Sequence, residues 1–246
     1  MEINKDSVLA LLDSKVSFSK GIGDLIPAER VLVLAPHPDD EVLGCGGTLL
    51  RYIQDYSEVI VIYITDGRYG VVGQYTGIRE KEAEEAWKQY KIKQIFLGFR
   101  DSNITEELTP RLKLILDSLK PDIIFTPWFL DMHADHKLTS YYLAQALTEI
   151  SDYNPIISSY EVMYPLHANK TVNITQVFDN KLEVLSCYKS QTSYLSLREL
   201  AVNMSNLRAQ LIRLRFMKAA EAFNVTDSQT YVRLIKCMFD NVVEVT

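Results

Sequence analysis

The chain has 246 residues, of which 47% are hydrophobic and 24% charged, a composition that is ordinary for a globular protein and excludes a disordered one. Its net charge of −6 disfavours a nucleic-acid partner, because a general binder of a polyanion carries a basic surface. No window approaches 18 consecutive apolar residues, so the sequence predicts no membrane span.

The predicted elements begin with a short helix in the first 20 residues, whose apolar positions are Val8, Leu9, Leu11, Leu12 and Val16. Predicted strands follow at residues 31–35, 59–65, 94–97 and 123–126, of which 94–97 is the weakest. Predicted helices lie at residues 43–56, 78–90, 108–119 and 138–150. Strands that alternate with helices in this way favour an α/β fold with a parallel sheet covered on both faces.

The last third of the chain has a different pattern. Residues 156–164 and 171–177 read as strands without a helix between them, and residues 181–187 and 206–223 read as helices. We therefore expect an appended C-terminal strand pair and helices that pack on the same core. No linker rich in Gly, Ser or Pro interrupts the chain, so we predict one domain over 1–246, with a core of about 28–150 and a C-terminal elaboration over 151–246.

Three widely spaced cysteines, Cys45, Cys187 and Cys237, match no metal-binding or disulfide spacing. We expect three reduced, mostly buried thiols in a cytoplasmic protein. The first residues lack a basic stretch followed by an apolar run, so no signal peptide is expected. No pattern specifies the oligomeric state, and a homo-oligomer remains open.

The most informative segment lies where the predicted strand 31–35 ends. The apolar run gives way at once to Pro36-His37-Pro38-Asp39-Asp40-Glu41. Open α/β sheets bind their ligands just beyond the carboxyl ends of such strands. One imidazole beside neighbouring carboxylates is a donor set for a divalent metal, with an acid to spare.

A second motif, His133-Ala134-Asp135-His136, follows the predicted strand 123–126, and the two motifs contain three of the four histidines. Residues three apart share one side of a turn, so His37 and Asp40 can reach one ion and His136 can add a third ligand. Two imidazoles and one carboxylate, with water in the fourth position, are typical of catalytic zinc sites. Iron(II) or another divalent ion fits the same donors.

Asp39 and His133 remain outside this ligand set. Adjacent residues of extended backbone point apart, so Asp39 is free to act as a general base beside the metal. His133 could stabilise an oxyanion or protonate a leaving group. Glu41 has no ligand role left and is expected to support the site or the helix N-terminus. The competing interpretation is that Asp39 or Asp40 only caps the following helix.

Other features are weaker. Gly44, Gly46 and Gly47 do not match the spacing of a dinucleotide loop, and we expect them to let a helix approach its neighbours closely. Residues 69–77 contain three further glycines and are either a lid over the site or an ordinary connector. His167 has no comparable context, which favours a role outside ligation.

The segment Ala35-Pro36-His37-Pro38-Asp39-Asp40-Glu41 resembles the Ala-His-Pro-Asp-Asp-Glu signature of the PIG-L/LmbE-like family of zinc-dependent N-deacetylases, with Pro36 as an addition. Asp131-Met132-His133-Ala134-Asp135-His136 resembles the family's Asp-x-His-Pro-Asp-His motif, with Ala134 replacing proline. Weaker matches extend the resemblance from about Val31 to Phe223. They are Thr65-Asp66-Gly67, Arg79-Glu80-Lys81-Glu82, Leu97-Gly98-Phe99-Arg100-Asp101, Lys181 with Tyr188-Lys189-Ser190-Gln191, and Glu221-Ala222-Phe223.

This resemblance implies a Rossmann-like parallel sheet, flanked by helices, that binds a metal and no dinucleotide. It implies that His37, Asp40 and His136 bind the metal and that Asp39 is the general base. It also implies that His133 stabilises the tetrahedral intermediate while Asp135 tunes and orients His133.

Arg79 and Asp101 match positions that contact sugar hydroxyls in family members that deacetylate N-acetylglucosamine conjugates. The alternative for Arg79 is an ion pair on the face of its helix, for example with Glu82. The alternative for Asp101 is a turn or helix-cap role.

The sequence therefore predicts a zinc-dependent N-deacetylase whose partner is a small sugar conjugate, most simply of the N-acetylglucosamine type. One rival is a metallo-amidase or esterase that acts on a non-sugar acyl substrate. Another is a binding protein with a degenerate site, which the complete ligand set and Asp39 disfavour. The group attached to the sugar and the native metal stay open.

Overall fold

The computed structural model of the chain describes residues 23–70, 77–191 and 196–239. Within these ranges, seven strands form one sheet: β1 (Arg30–Ala35), β2 (Glu58–Thr65), β3 (Ile92–Phe99), β4 (Ile123–Pro127), β5 (Ile156–Tyr160), β6 (Lys170–Asn173) and β7 (Ala220–Asp227). The helices are α1 (Asp40–Gln54), α2 (Ile78–Trp87), α3 (Leu108–Leu119), α4 (Ala134–Thr148), α5 (Phe178–Leu185), α6 (Leu197–Ile212) and α7 (Ser228–Phe239). The helix predicted in the first 20 residues and most of the predicted lid lie outside the described residues.

The sheet has the strand order β3-β2-β1-β4-β5-β7-β6. Strands β1 to β5 pair in parallel, while β7 is antiparallel to β5 and β6, its neighbours on either side. The chain builds outward from β1 to β3 and then restarts at β4 on the other side of β1. A crevice opens beyond the carboxyl ends of β1 and β4, because their following loops diverge there.

The central strands are buried on both faces, which explains their nearly continuous apolar sequence. Val31 and Val33 belong to a core layer that includes residues of α1, α2, α5 and α6. Leu32 and Leu34 belong to a second layer formed with α3, α4 and α7. The predicted α/β fold, a parallel sheet flanked by helices, is therefore confirmed.

Helix α1 packs closely against β5, and Gly44 permits this contact. A Cβ atom at Gly44 would lie 2.1 Å from Cδ2 of Tyr160, a distance that no side chain tolerates. The expectation that the glycines of this helix serve close packing is confirmed at this position.

The helix predicted at residues 206–223 is confirmed over residues 206–212 and wrong beyond them. Helix α6 ends at Ile212, with Arg213 in a left-handed conformation, and residues 220–227 form strand β7. Ala and Glu in the sequence of β7 favour helix in isolation, but insertion between β5 and β6 buries both faces of the segment and overrides that preference. The two predicted C-terminal strands are present as β5 and β6, and the unpredicted β7 separates them.

The cysteines also differ from expectation, since only Cys45 is buried, whereas Cys187 is half-buried and Cys237 exposed. Among the helices of the described ranges, none combines the length and the apolar character that a membrane crossing requires.

Candidate active site

A cavity of about 360 Å³ lies beyond the carboxyl ends of β1 and β4. Seven of the eight site residues predicted from the sequence line it: His37, Asp39, Asp40, Arg79, Asp101, His133 and His136. The eighth, Asp135, is fully buried behind His37. The structure thus brings the predicted site residues of the two motifs together with Arg79 and Asp101.

A tight turn after β1 orients the first motif. The Asp40 N–H donates to the His37 carbonyl (3.2 Å), and the His37 N–H donates to Oδ2 of Asp40 (2.9 Å). These bonds place the His37 and Asp40 side chains on one side, as the spacing of three predicts. Between them, Asp39 has a φ of 127°. This backbone conformation is rare for a residue with a Cβ and costs roughly 1–3 kcal/mol.

Three candidate ligand atoms converge. Nδ1 of His37 lies 3.1 Å from Oδ2 of Asp40, and Nε2 of His136 lies 3.3 Å from the same oxygen. All three side chains are buried. The ligand atoms of His37, His133 and His136 also lie within 4.8 Å of one another, so His133 borders the same space.

The outer nitrogens of both imidazoles face carboxylates. Nε2 of His37 lies 3.0 Å from Asp101 and 3.1 Å from Asp135, while Nδ1 of His136 lies 3.2 Å from Asp131. A carboxylate on the outer nitrogen fixes the ring and leaves the inner nitrogen for a metal. The donor set and its surroundings therefore fit a divalent cation.

The pKa shifts of His136 and Asp40 also fit a site for a cation. Burial alone would lower the pKa of His136, but the Asp40 charge and the nearby Asp131 carboxylate outweigh it and raise this pKa to about 9. Burial alone would raise the pKa of Asp40, but His136 and His37 hold it well below its usual range. Asp40 thus attracts protons onto both imidazoles, and a bound cation would replace those protons.

Asp39 has a different environment from Asp40. Its Oδ1 accepts a hydrogen bond from Nη2 of Arg79 (2.6 Å), and the same guanidinium donates through Nε to the Pro38 carbonyl (3.1 Å). Gly67 permits this packing, because a Cβ there would lie 2.8 Å from the Arg79 side chain. Burial raises the pKa of Asp39 to about 7, although Arg79 opposes the shift. Asp39 and Asp40 therefore contact different partners, and their pKa values shift in opposite directions.

The structure gives Arg79 and Asp101 partners within the site. Arg79 binds Asp39 and Pro38 rather than Glu82, so the helix-face ion pair considered for it is wrong. Oδ1 of Asp101 lies 3.0 Å from Nε2 of His37, and its Oδ2 accepts a hydrogen bond from the backbone N–H of Tyr69 (3.0 Å). Both side chains line the cavity and remain within reach of a bound molecule.

The relation between Asp135 and His133 differs from the expected one. The Asp135 carboxylate contacts His37 Nε2 (3.1 Å) and accepts from the Ser102 N–H (2.9 Å). Its backbone N–H, at the start of α4, donates to Nδ1 of His133 (3.2 Å). The orienting contact with His133 thus comes from the Asp135 backbone, whereas the carboxylate serves His37. Burial and the charges of His37 and His136 lower the pKa of His133, and the Asp135 charge opposes this.

Sequence reasoning assigned no role to Asp131, which is fully buried beside the site. Besides facing His136, it accepts from the backbone N–H groups of His133 (3.0 Å) and Met163 (3.3 Å). It therefore ties the loop after β4 to the segment after β5. Its place at the start of the second motif was the only signal in the sequence.

Comparisons with known proteins agree on one family. The family model described as PIG-L, GlcNAc-PI de-N-acetylase, matches residues 32–147. The chain is 30% identical over 187 residues to a probable N-acetyl-alpha-D-glucosaminyl L-malate deacetylase 2 of Bacillus cereus, which covers 66% of the chain and 84% of that protein. It is 25% identical over 214 residues to the diacetylchitobiose deacetylase of Thermococcus kodakarensis, covering 76% and 79% of the two chains.

A solved structure shares the fold. The N,N'-diacetylchitobiose deacetylase from Pyrococcus horikoshii superposes with a TM-score of 0.74, covering 91% of this chain and 90% of that one, at 24% sequence identity.

Proposed function

The chain belongs to the PIG-L family, and we propose that it is a metal-dependent hydrolase that removes the N-acetyl group from an N-acetylglucosamine-type sugar conjugate. One observation carries this proposal. The donors of His37, Asp40 and His136 converge in a cavity that a separately held carboxylate, Asp39, also lines. A metal site with an independent acid beside it supplies the Lewis acid and the general base that metal-dependent amide hydrolysis uses.

The substrate class is drawn from the relatives. Two of them are named for deacetylation of N-acetylglucosaminyl malate and of diacetylchitobiose, both of which carry an acetamide on a glucosamine ring. We propose the same acetamide for this chain and leave the attached group open. A cytoplasmic location stays a prediction.

His37, Asp40 and His136 would hold the metal, and zinc suits two imidazoles and one carboxylate best, with iron(II) as the main alternative. When bound, a divalent cation supplies Lewis acidity, which polarises a carbonyl and lowers the pKa of water. Asp101, Asp135 and Asp131 orient the two histidine rings from outside.

Asp39 acts as the general base in this proposal. Its carboxylate removes a proton from the attacking water, while the new C–O bond forms at the acetyl carbon. Arg79 keeps the carboxylate directed into the cavity during this transfer. The same proton then passes from Asp39 to the departing nitrogen as the C–N bond breaks, which releases acetate and an amine.

His133 stabilises the negative oxygen of the tetrahedral intermediate. Its Nδ1 accepts a hydrogen bond from the Asp135 backbone, so the neutral ring carries its proton on Nε2. That N–H is therefore available as a donor to the oxygen. The predicted contacts of Arg79 and Asp101 with sugar hydroxyls stay predictions, and both side chains line the cavity.

Acetate release tests the proposal. The purified protein should release acetate from N-acetylglucosaminyl malate or diacetylchitobiose but not from simple acyl amides or esters. Activity on the simple acyl compounds alone would favour the metallo-amidase or esterase. A chelator should abolish release, and added Zn²⁺ or Fe²⁺ should restore it.

The ligand assignment has a separate test. His136→Ala should lose tightly bound metal in elemental analysis, whereas His167→Ala, at an exposed position, should retain it. Tight metal retained in His136→Ala would exclude His136 as a ligand.

A further inference from the structure

Glu41 is fully buried and lies next to a candidate metal ligand, yet it does not line the cavity. Its two carboxylate oxygens have separate partners. Oε1 accepts from the Tyr63 hydroxyl (3.0 Å), the Trp87 indole N–H (2.9 Å) and the Tyr188 hydroxyl. Oε2 accepts from the backbone N–H of Asp39 (3.1 Å).

The three donors to Oε1 come from different parts of the fold. Tyr63 belongs to β2, Trp87 ends α2, and Tyr188 follows α5. All three are essentially inaccessible to solvent. Because these donors lie on packed elements, they fix the position of Glu41, and its second oxygen is left pointing at one backbone group.

That backbone group belongs to the residue with the φ of 127°. A residue with a Cβ leaves such a conformation unless its surroundings hold it there. Arg79 holds the segment on one side through the Pro38 carbonyl and the Asp39 carboxylate. Glu41 holds it on the other side through the Asp39 N–H.

We propose that Glu41 is a positioning residue for catalysis, which keeps Asp39 in its strained conformation and so keeps the carboxylate of Asp39 in the cavity and away from the ligand Asp40. The inference rests on the proposed function, in which Asp39 is the general base. Glu41 itself neither binds metal nor contacts substrate, because both of its oxygens are engaged in the interior.

Glu41→Gln isolates the contact with Asp39. The Trp87 N–H can only donate, so it requires the amide oxygen of the glutamine at the position of Oε1. The amide nitrogen then faces the Asp39 N–H, and two donors oppose each other. The three aromatic partners keep an acceptor, while the backbone of Asp39 loses its own.

We expect kcat for acetate release to fall on the order of tenfold to hundredfold, as for a displaced catalytic group. KM and bound metal should stay unchanged, because Glu41 does not line the cavity and the three ligands are not substituted. The amide resonance of Asp39 in ¹H–¹⁵N spectra should also move, since it loses a charged acceptor.

Glu221→Gln is the matched control. Glu221 is also buried and also accepts from backbone N–H groups of α1, those of Gly47 (2.8 Å) and Thr48 (2.7 Å), but it has no contact with Asp39. This variant should lose stability, keep its kcat and leave the Asp39 resonance in place.

Two results would overturn the proposal: an unchanged kcat in Glu41→Gln, or a fall in kcat that only follows lost metal. If Glu41→Gln does not fold, Tyr188→Phe removes one donor to Oε1 and should still lower kcat with metal retained, and an unchanged kcat there counts against the proposal. If the wild-type protein releases no acetate from any sugar substrate, the proposed function fails. The Asp39 resonance still tests the positioning contact in that case.

Discussion

Residues 36–41 join β1 to the first two residues of α1, and we call this segment the turn. The turn and an apolar outer rim beside the cavity are built in opposite ways. Every residue of the turn is buried, and His37, Asp39 and Glu41 contact buried side chains from other parts of the fold. The outer rim, which we define as Leu130, Met132, Met163 and Tyr164, is 39–74% exposed and apolar, and of these four Met163 lines the cavity itself. The rim lies on the segments after β4 and β5.

The contrast separates two tasks. A group that moves protons must be held within a fraction of an ångström, and only a packed interior provides that. A surface that contacts a variable part of a substrate can be exposed and can tolerate side-chain substitutions. We therefore expect changes in the turn to alter kcat or metal binding, and changes in the rim to alter KM.

The largest effect is expected from Asp39→Asn, which keeps the size of the side chain and removes its basicity. General-base catalysis contributes roughly 10²–10⁴-fold, so kcat should fall by that factor with bound metal retained. Acetate release together with elemental analysis measures both. Asp117→Asn, at a surface ion pair, serves as the control. An unaltered kcat in Asp39→Asn would remove Asp39 from the base role.

A loss of stability without a loss of catalysis should follow from Lys181→Met. The Lys181 ammonium donates to Glu221 (2.7 Å) and to the Leu43 carbonyl (2.9 Å). Through Leu43 and the backbone N–H groups that bind Glu221, this ion pair contacts the first half of α1. Removing one partner of a buried pair destabilises by about 3–5 kcal/mol. Urea unfolding should show this change, while kcat per folded molecule stays constant. A large fall in kcat would mean that the turn depends on α1 more than on its own contacts.

A smaller effect is expected from Asp131→Asn, which removes the charge facing Nδ1 of His136. Loss of such an outer partner typically lowers metal affinity 10–100-fold. Competition with a chelator measures the affinity directly. Its neighbour Met132, 74% exposed, offers the contrast within one loop, and Met132→Ala should leave metal affinity unchanged. Equal losses in both variants would break the distinction between interior and rim.

The smallest effect is expected from Met163→Ala, the rim residue that lines the cavity. Its kcat should stay unchanged, because a side chain that only contributes to substrate binding affects KM and not the chemical step. KM should rise for substrates with a large group attached to the sugar and stay constant for a small glycoside. Initial rates on the two substrate types decide the matter, and a kcat effect as large as that of Asp39→Asn would contradict the comparison.

The sequence predicted the core of the fold and the two histidine motifs that meet in the cavity, because both depend on short-range patterns. Arg79 and Asp101 were predicted only from the resemblance to the PIG-L/LmbE-like family. A strand buried on both faces is visible as an apolar run, and the polar residues after it must lie at the sheet edge. Strand β7 could not be read this way, because its burial depends on β5 and β6 beside it.

The roles within the site were only partly readable for the same reason. The partners of Glu41 are Tyr63, Trp87 and Tyr188, far from it in sequence. Spacing within a motif carries no information about such contacts. Likewise, the choice of the Asp135 carboxylate between His133 and His37 depends on how α4 begins relative to β1.

The left-handed backbone at Asp39 has a consequence for protein design. Copying residues 36–41 onto another parallel sheet would transfer the sequence but not the backbone conformation. Without its present contacts, Asp39 would relax to an ordinary conformation beside Asp40. A functional copy also needs residues that are distant in sequence. These are an arginine at the position of Arg79 and the three aromatic donors that hold Glu41. A designer would therefore have to transfer a set of buried side chains from several elements rather than one continuous segment.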